Sequence, residues 1–309
     1  MDLRQLRTFI QVAETGSLTR AADRLNTVQP TLSRQIRMLE EEFGTELFER
    51  QGRGMKLTEA GDRLLEHARA ILREVEHARA DLLALRGAIT GSVVCGVIPS
   101  LGDRALVPFV RSFVENNPLV SLRLVTGYAG FLIEWLGRRQ LDIAILYDLP
   151  TLSSYDVVPM VEEPLFVVAS PRAGLDIGVP VKLATLASVP MVMPSPQHGL
   201  RKLVDKAAQR HNVRLSVRVE ADSLQTQLEL ARTGFGWTVL PPSAVAAELA
   251  DRQISAAPLC EPEVLRRIVL VLPIDRSQPY SVRVFSDAMA EHVLSMVRKG
   301  GWPGARVIS

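Results

Sequence analysis

The chain has 309 residues, 47% hydrophobic and 23% charged, with a formal net charge of +2 at pH 7. That is ordinary for a globular protein of two or three domains, and it excludes a polycation, so any nucleic-acid binding must rest on a local patch. The N-terminus MDLRQLRTFI lacks the apolar core of a signal peptide, and no run reaches the ~18 uncharged apolar residues of a membrane span. Cys95 and Cys260 are therefore expected as buried free thiols of a cytoplasmic protein.

A first helix is expected from Asp2 to Thr15, with Leu3, Leu6, Ile10 and Ala13 at helical spacing, Gly16 as its stop and Ser17 as the next cap. In the stretch from Ser17 to Leu39, Leu18, Ala21, Ala22 and Leu25 make one apolar stripe. Asn26 and Thr27 interrupt it. Pro30 suits the first turn of a second helix, expected from about Val28 to Leu39, with Leu32, Ile36 and Leu39 inward. The other face carries Gln29, Thr31, Ser33, Arg34 and Arg37, side-chain types that hydrogen-bond base edges and phosphates. This is a helix-turn-helix pattern; the alternative is two solvated helices of an ordinary helical domain. Residues 40–43 are expected to close a short final turn, with Gly44 ending it.

Two short segments at 48–50 and 55–57 could pair around Gly52-Arg53-Gly54. Arg50, Arg53 and Lys56 make that hairpin basic, so it reads as a wing beside a recognition helix, the alternative being an ordinary basic turn. From Glu59 to about Arg86, Leu64, Ala68, Ile71, Val75, Ala78, Leu82 and Leu85 follow a strict heptad spacing. Such a helix would extend about 42 Å at 1.5 Å per residue. It reads as the seam of a dimerising coiled coil, or else as a helix lying along its own C-terminal domain. Gly87 and Gly91 mark a hinge.

Beyond Gly91, strands expected at 93–98, 122–125, 141–146, 165–169, 191–193, 237–240 and 268–272 alternate with helices at 106–114, 131–136, 200–210, 223–232 and 280–298. Alternation of this kind implies an α/β domain with a mostly parallel sheet. Ligands of such sheets sit at strand ends and helix starts. That makes Ser100, Tyr128, Tyr147, Ser195, Gln197, His198 and Ser223 candidates for a small, carboxylate-bearing ligand. Individually each is equally read as a helix cap or a surface polar group. No G-x-S-x-G, H-E-x-x-H, C-x-x-C or Walker loop is present, and the five histidines show no metal-ligand spacing. Catalytic residues, metals and cofactors are therefore not expected. A solute-binding protein, an enzyme on this scaffold, or a helix-turn-helix joined to some other sensor are the competing classes.

The run GSLTRAADRLNTVQPTLSRQIRMLEEEFGTELFER followed by RGMKLTEAG resembles the LysR-type transcriptional regulators, and GSVVCG, LDIAI and GFGWTVLP continue the likeness to the end of the chain. The resemblance implies a winged helix-turn-helix over 1–58 and a long dimerising linker helix with hinge over 59–90. It also implies a two-lobed effector domain, like periplasmic binding proteins, over 91–299. Its lobes would divide as about 91–161 plus 267–299, and about 162–266. It implies further that Gln29, Pro30, Ser33 and Arg34 contact DNA, with Arg53 at the wing tip. The implied partners are double-stranded promoter DNA, a small-molecule effector between the lobes, and other copies of the chain in a homodimer that assembles to a homotetramer. RNA polymerase is an open further partner. Two departures stand out. Val28 occupies the place of a small hydroxyl residue before Gln-Pro, which shifts the expected cap by one residue, and Arg139 stands where the family has glycine.

Overall fold

The computed structural model describes the chain apart from residues 52–53, 102, 148–152, 276, 303 and 309, and apart from the side chains of residues 50, 51, 103 and 104. It divides into two compact units. Unit 1 is Met1–Ser92 with Gly137–Gln140, and unit 2 is Val93–Leu136 with Leu141–Ser309.

Unit 1 comprises α1 (Leu3–Thr15), α2 (Leu18–Arg24), α3 (Gln29–Phe43), the strands β1 (Phe48–Gln51) and β2 (Gly54–Leu57), and α4 (Glu59–Ala84). The caps explain the boundaries. The Asp2 carboxylate accepts from Gln5 N at 2.8 Å while Gln5 returns the contact to Asp2 N, a reciprocal capping box. Gly16 ends α1 at φ 62° and Ser17 caps α2. At α3 the expected one-residue shift does not occur: Val28 holds the N-cap with no side-chain bond. The turn tolerates this because Thr31 N donates to Val28 O at 3.0 Å and Pro30 has no N–H to satisfy. The helix also runs without a break through residues 40–43 to Gly44. Leu6, Phe9, Leu32 and Leu39 are at most 1% exposed and form the centre of the core, with Phe48 of the hairpin against Phe9 at 5.2 Å between ring centroids.

The heptad of α4 is divided in its use. Leu64, Ala68 and Ile71, flanked by Leu65 and Leu72, pack into this same core. They are therefore not a free seam, because the flanking leucines widen the stripe enough to cover α1. Val75 is half-buried, Ala78 is exposed and Leu82 is 66% exposed, while Leu85 lies just past the helix end at 84%. Exposed pairs of Arg69 with Glu14 at 2.9 Å and Arg7 with Glu76 at 3.5 Å run between α4 and α1 and add little to stability.

Unit 2 continues with β3 (Gly91–Val97), α5 (Asp103–Asn116), β4 (Val120–Thr126), α6 (Ala129–Gly137), β5 (Ile143–Tyr147), β6 (Tyr155–Pro164), β7 (Phe166–Ala169), β8 (Val181–Lys182) and β9 (Met191–Met193). There follow α7 (Gly199–Arg210), β10 (Val217–Glu220), α8 (Leu224–Arg232), β11 (Thr238–Leu240), α9 (Ala246–Ala250), β12 (Ser255–Cys260), β13 (Leu265–Pro273), α10 (Tyr280–Arg298) and β14 (Arg306–Val307). A six-stranded sheet has the order β14-β6-β13-β5-β3-β4 and forms one lobe. The sheets β11-β7-β12-β8 and β10-β9 form the other.

The expectation of a mostly parallel sheet is corrected. β13 runs antiparallel to both β5 and β6, and β7 is antiparallel to β11 and β12. The cause is the double crossing: β6 leaves the first lobe and β13 returns to it in the opposite direction. Among the strands absent from the sequence reading are β6, β10 and β12. β6 and β10 alternate or mix polar with apolar residues and so lack the continuous apolar run of a doubly covered strand, whereas β12, SAAPLC, is built of alanines and a proline, which are weak strand formers.

The LDIAI motif has a structural job. Asp142, 1% exposed, accepts from Val94 N at 2.8 Å, extending the ladder between β3 and β5 with a carboxylate. Arg139 adopts φ 56°, the left-handed conformation in which glycine is free of strain, so its side chain costs about 1–2 kcal/mol there. Cys95 is buried, its thiol pushed up by burial and by the Asp142 charge, whereas Cys260 is only half-buried.

Candidate functional site

Two sites emerge, one in each unit. In unit 1, α3 buries Leu32, Ile36 and Leu39 and turns the opposite face outward. Gln29, Pro30, Thr31, Arg34 and Arg37 are exposed and Ser33 is half-buried. Arg34 and Arg37 form no ion pair among the described residues, so both guanidiniums are uncommitted donors. Thr8 of α1 donates to Gln35, fixing the rotation of α3, and Glu40 accepts from Leu47 N at 2.9 Å and Phe48 N at 3.3 Å, tying α3 to the hairpin. Met55 N donates to Gly16 O at 2.9 Å, which seats the second hairpin strand against the α1–α2 turn. The β1–β2 register pairs Gln51 with Gly54, as a wing requires. The Arg53 tip and the Arg50 side chain lie outside the described residues.

In unit 2, a cavity between the lobes is bordered by Pro99, Ser100, Tyr128, Tyr147, His198, Asp222 and Gln227. Its volume is about 20 Å³, room for about one water, so the lobes are closed on each other. Tyr128 Oη donates to Asp222 O at 2.6 Å, and Tyr147 Oη accepts from Gly199 N at 3.1 Å. His198 Nδ1 accepts from Leu200 N at 3.2 Å, and its ring stands edge-on to Tyr128 at 5.0 Å. That bond assigns the imidazole proton to Nε2. Burial, reinforced by Arg266, lowers the His198 pKa against the opposing pull of Asp222, so the ring is neutral at pH 7. Tyr147 retains its O–H after accepting from Gly199, and burial raises its pKa. Tyr147 and His198 thus offer two neutral donors to an incoming acceptor.

Of the residues expected at this site, Ser100, Tyr128, Tyr147 and His198 are brought together. Ser195 contributes its backbone N to Asp222 Oδ1 at 2.8 Å, Gln197 is exposed, and Ser223 is a plain N-cap that accepts from Thr226 N at 3.3 Å. These three do not border the cavity. The Ser100 hydroxyl is also not the free group expected at a helix start: it accepts from Arg266 at 2.7 Å, and Ser100 O accepts from the same guanidinium at 3.0 Å.

Sequence reasoning missed the group behind this contact. Arg266, 3% exposed, donates Nε to Glu163 Oε1 at 2.7 Å, and Glu163 is wholly buried. The second Glu163 oxygen accepts from Ser243 and from Trp302 Nε1, each at 2.9 Å. The signal was present as Glu162-Glu163 matched by Arg266-Arg267, two charge pairs in antiparallel register.

Gly199 sets how closely the lobes approach. A Cβ there would fall 2.2 Å from Tyr147 Cε2 and 2.4 Å from its Oη. Gly199→Ala is therefore expected to expel the Tyr147 ring, with a loss of about 1–3 kcal/mol in stability. A melting temperature equal to wild type would show that the ring has room to move.

A winged helix-turn-helix followed by a two-lobed cleft domain defines a regulator that joins DNA reading to ligand sensing. Residues 3–62 match the bacterial regulatory helix-turn-helix protein model of the lysR family, and residues 86–294 match the LysR substrate binding domain. The chain is 28% identical over 304 residues to the HTH-type transcriptional regulator BbuR of Bordetella bronchiseptica, covering 98% of this chain and 94% of that one. It is 32% identical over 294 residues to a probable nitrogen assimilation transcriptional activator of Synechococcus elongatus, covering 94% and 95%. In fold it is similar to full-length CbnR complexed with its target DNA, with a TM-score of 0.71, 24% identity, and 96% and 99% of the two chains covered. The chain belongs to the LysR family of transcriptional regulators: it is a regulator with a DNA-binding helix-turn-helix and an effector-binding domain, and not an enzyme. Among the described residues no helix is long and apolar enough to cross a membrane.

Proposed function

We propose that the chain binds promoter DNA in the cytoplasm as a homodimer, assembling to a homotetramer, and that a small carboxylate-bearing effector between the lobes of unit 2 controls it. The observation that carries the DNA reading is the outer face of α3. Gln29, Thr31, Arg34 and Arg37 are exposed there while the inner face is fully packed, so the polar side chains are aimed rather than merely wet. Ser33, Pro30 and the wing arginines Arg50 and Arg53 complete the proposed contact set. The binding of CbnR, similar in fold, to its target DNA supports this role.

Arg34→Ala should weaken binding to a promoter fragment selected by the wild-type chain by about 1–3 kcal/mol, roughly fivefold to 150-fold, if Arg34 reads a base. Fluorescence anisotropy at fixed salt measures this. A folded variant with unchanged affinity removes Arg34 from the interface.

The effector reading rests on the paired donors of Tyr147 and His198 facing one cavity. Since that cavity holds about 20 Å³, the effector must open the lobes or replace their present contacts. A thermal-shift screen of small carboxylates tests it, because a ligand that binds the native state raises apparent stability. The response should vanish in His198→Ala, which removes a donor from the cavity wall. A hit that stabilises both proteins equally places the effector elsewhere.

A further inference from the structure

The paired crossover strands have two faces. Arg266 lies opposite Glu163 and Arg267 opposite Glu162, and neighbours along a strand alternate sides. One side carries the buried Glu163–Arg266 group beneath the cleft. The other carries Arg267 and Glu162, in contact at 3.0 Å, and together with Arg266, which also borders it, forms a wall of a second cavity of about 560 Å³. That volume is within the range of about 300–1,000 Å³ usual for small-molecule pockets.

The floor is apolar, made by Leu200, Leu203 and Leu265, and the rim carries Lys202 and Lys206 from α7. The two lysines stand one helical turn apart, so like charge is stacked on one side of the helix, an arrangement that is unfavourable unless an anion lies between them. The nearby acids are already engaged. Asp205 is held by Arg201 at 2.8 Å, Glu220 is reached by the same arginine at 3.4 Å, and Glu162 is held by Arg267. Among the described residues neither lysine has an ion-pair partner.

We propose that this outer cavity is a second ligand site that takes an amphipathic anion: one carboxylate or sulfonate on Lys202 and Lys206, with an aromatic or aliphatic body on the leucine floor. The site does not depend on the reading of the inter-lobe cleft. It shares the Tyr147 wall with that cleft, so an occupant would bear on the ring that receives Gly199 N.

The test titrates the full-length chain with 8-anilinonaphthalene-1-sulfonate, an aromatic sulfonate whose fluorescence rises in apolar surroundings. Saturable binding with one dye per chain is expected, weakening as salt is raised. Lys202→Glu combined with Lys206→Glu should reduce affinity at least tenfold, while the paired Lys→Arg variant should keep it. Tyr128→Phe, altered only on the cleft side, should leave dye affinity unchanged. No binding to wild type, equal binding by the Glu variant, or loss in Tyr128→Phe alone would each overturn the assignment. None of these results bears on the effector response of the His198→Ala variant, so the two readings fail separately.

Discussion

Arg266→Met is expected to destabilise unit 2 by about 3–5 kcal/mol, the cost of leaving one member of a buried ion pair without the other. The carboxylate of Glu163 is wholly buried and keeps only the Ser243 hydroxyl and the Trp302 indole N–H after the guanidinium is gone. Ser100 loses both guanidinium contacts and keeps only the Ser243 hydroxyl on its carbonyl at 3.3 Å, so the turn after β3 is held less firmly as well. Removing both charges at once should behave differently. Glu163→Leu with Arg266→Met leaves no uncompensated charge, and much of the stability should return, as it does when buried pairs are replaced by apolar groups of similar volume. Urea unfolding of the three chains decides this. A double variant no more stable than Arg266→Met would mean that shape and hydrogen bonding, rather than charge burial, hold the group together.

The second large effect is expected at Leu82. On the dimer reading, the distal half of α4 is the part of the heptad most open to a partner, since Ala68 is buried in the chain's own core and Leu64 and Ile71 are partly buried against it. Leu82→Asp should therefore separate the dimer without unfolding unit 1, because Leu82 is 66% exposed in the single chain. A carboxylate in a dry interface has no counterion to offset its desolvation. Sedimentation should show monomer, and affinity for a two-half-site DNA should fall at least a hundredfold, because each half-site is then bound alone. Ile71→Asp cannot serve for this test, since it would also place a charge against the winged core. A Leu82→Asp chain that remains dimeric would move the interface to another surface.

The contrast between these two positions shows what was legible in the sequence. The heptad spacing was plain, but spacing cannot distinguish a seam facing a partner from one facing α1, because both need the same apolar stripe. Helix-turn-helix geometry was readable because its signals are local: Gly16, Ser17 and Gly44 cap elements within a few residues of themselves. The cleft was half readable. Ser100, Tyr128, Tyr147 and His198 follow strands or open helices, which places them by topology. The Glu163–Arg266 pair depends on register between strands about a hundred residues apart, and Asp222 on a loop that meets Tyr128 across the lobes; no local pattern records either. Gln197 and Ser223 had the same local signature as the true lining residues, and only the third dimension sends them elsewhere.

The position of β13 also governs when the molecule can be completed during synthesis. In the six-stranded sheet β13 lies between β6 and β5, yet it spans Leu265–Pro273, and α10 follows it. A nascent chain emerging from the ribosome can close unit 1 first and then the second lobe, whose strands β7 to β12 are contiguous. Until residue 273 has emerged, β5 and β6 have no strand between them, and each presents an unpaired edge of the kind that invites association with other chains. The first lobe is begun before the second and finished after it. A nascent chain with β13 still inside the ribosome would thus hold a folded DNA-reading unit attached to a sensor whose first lobe lacks an internal strand.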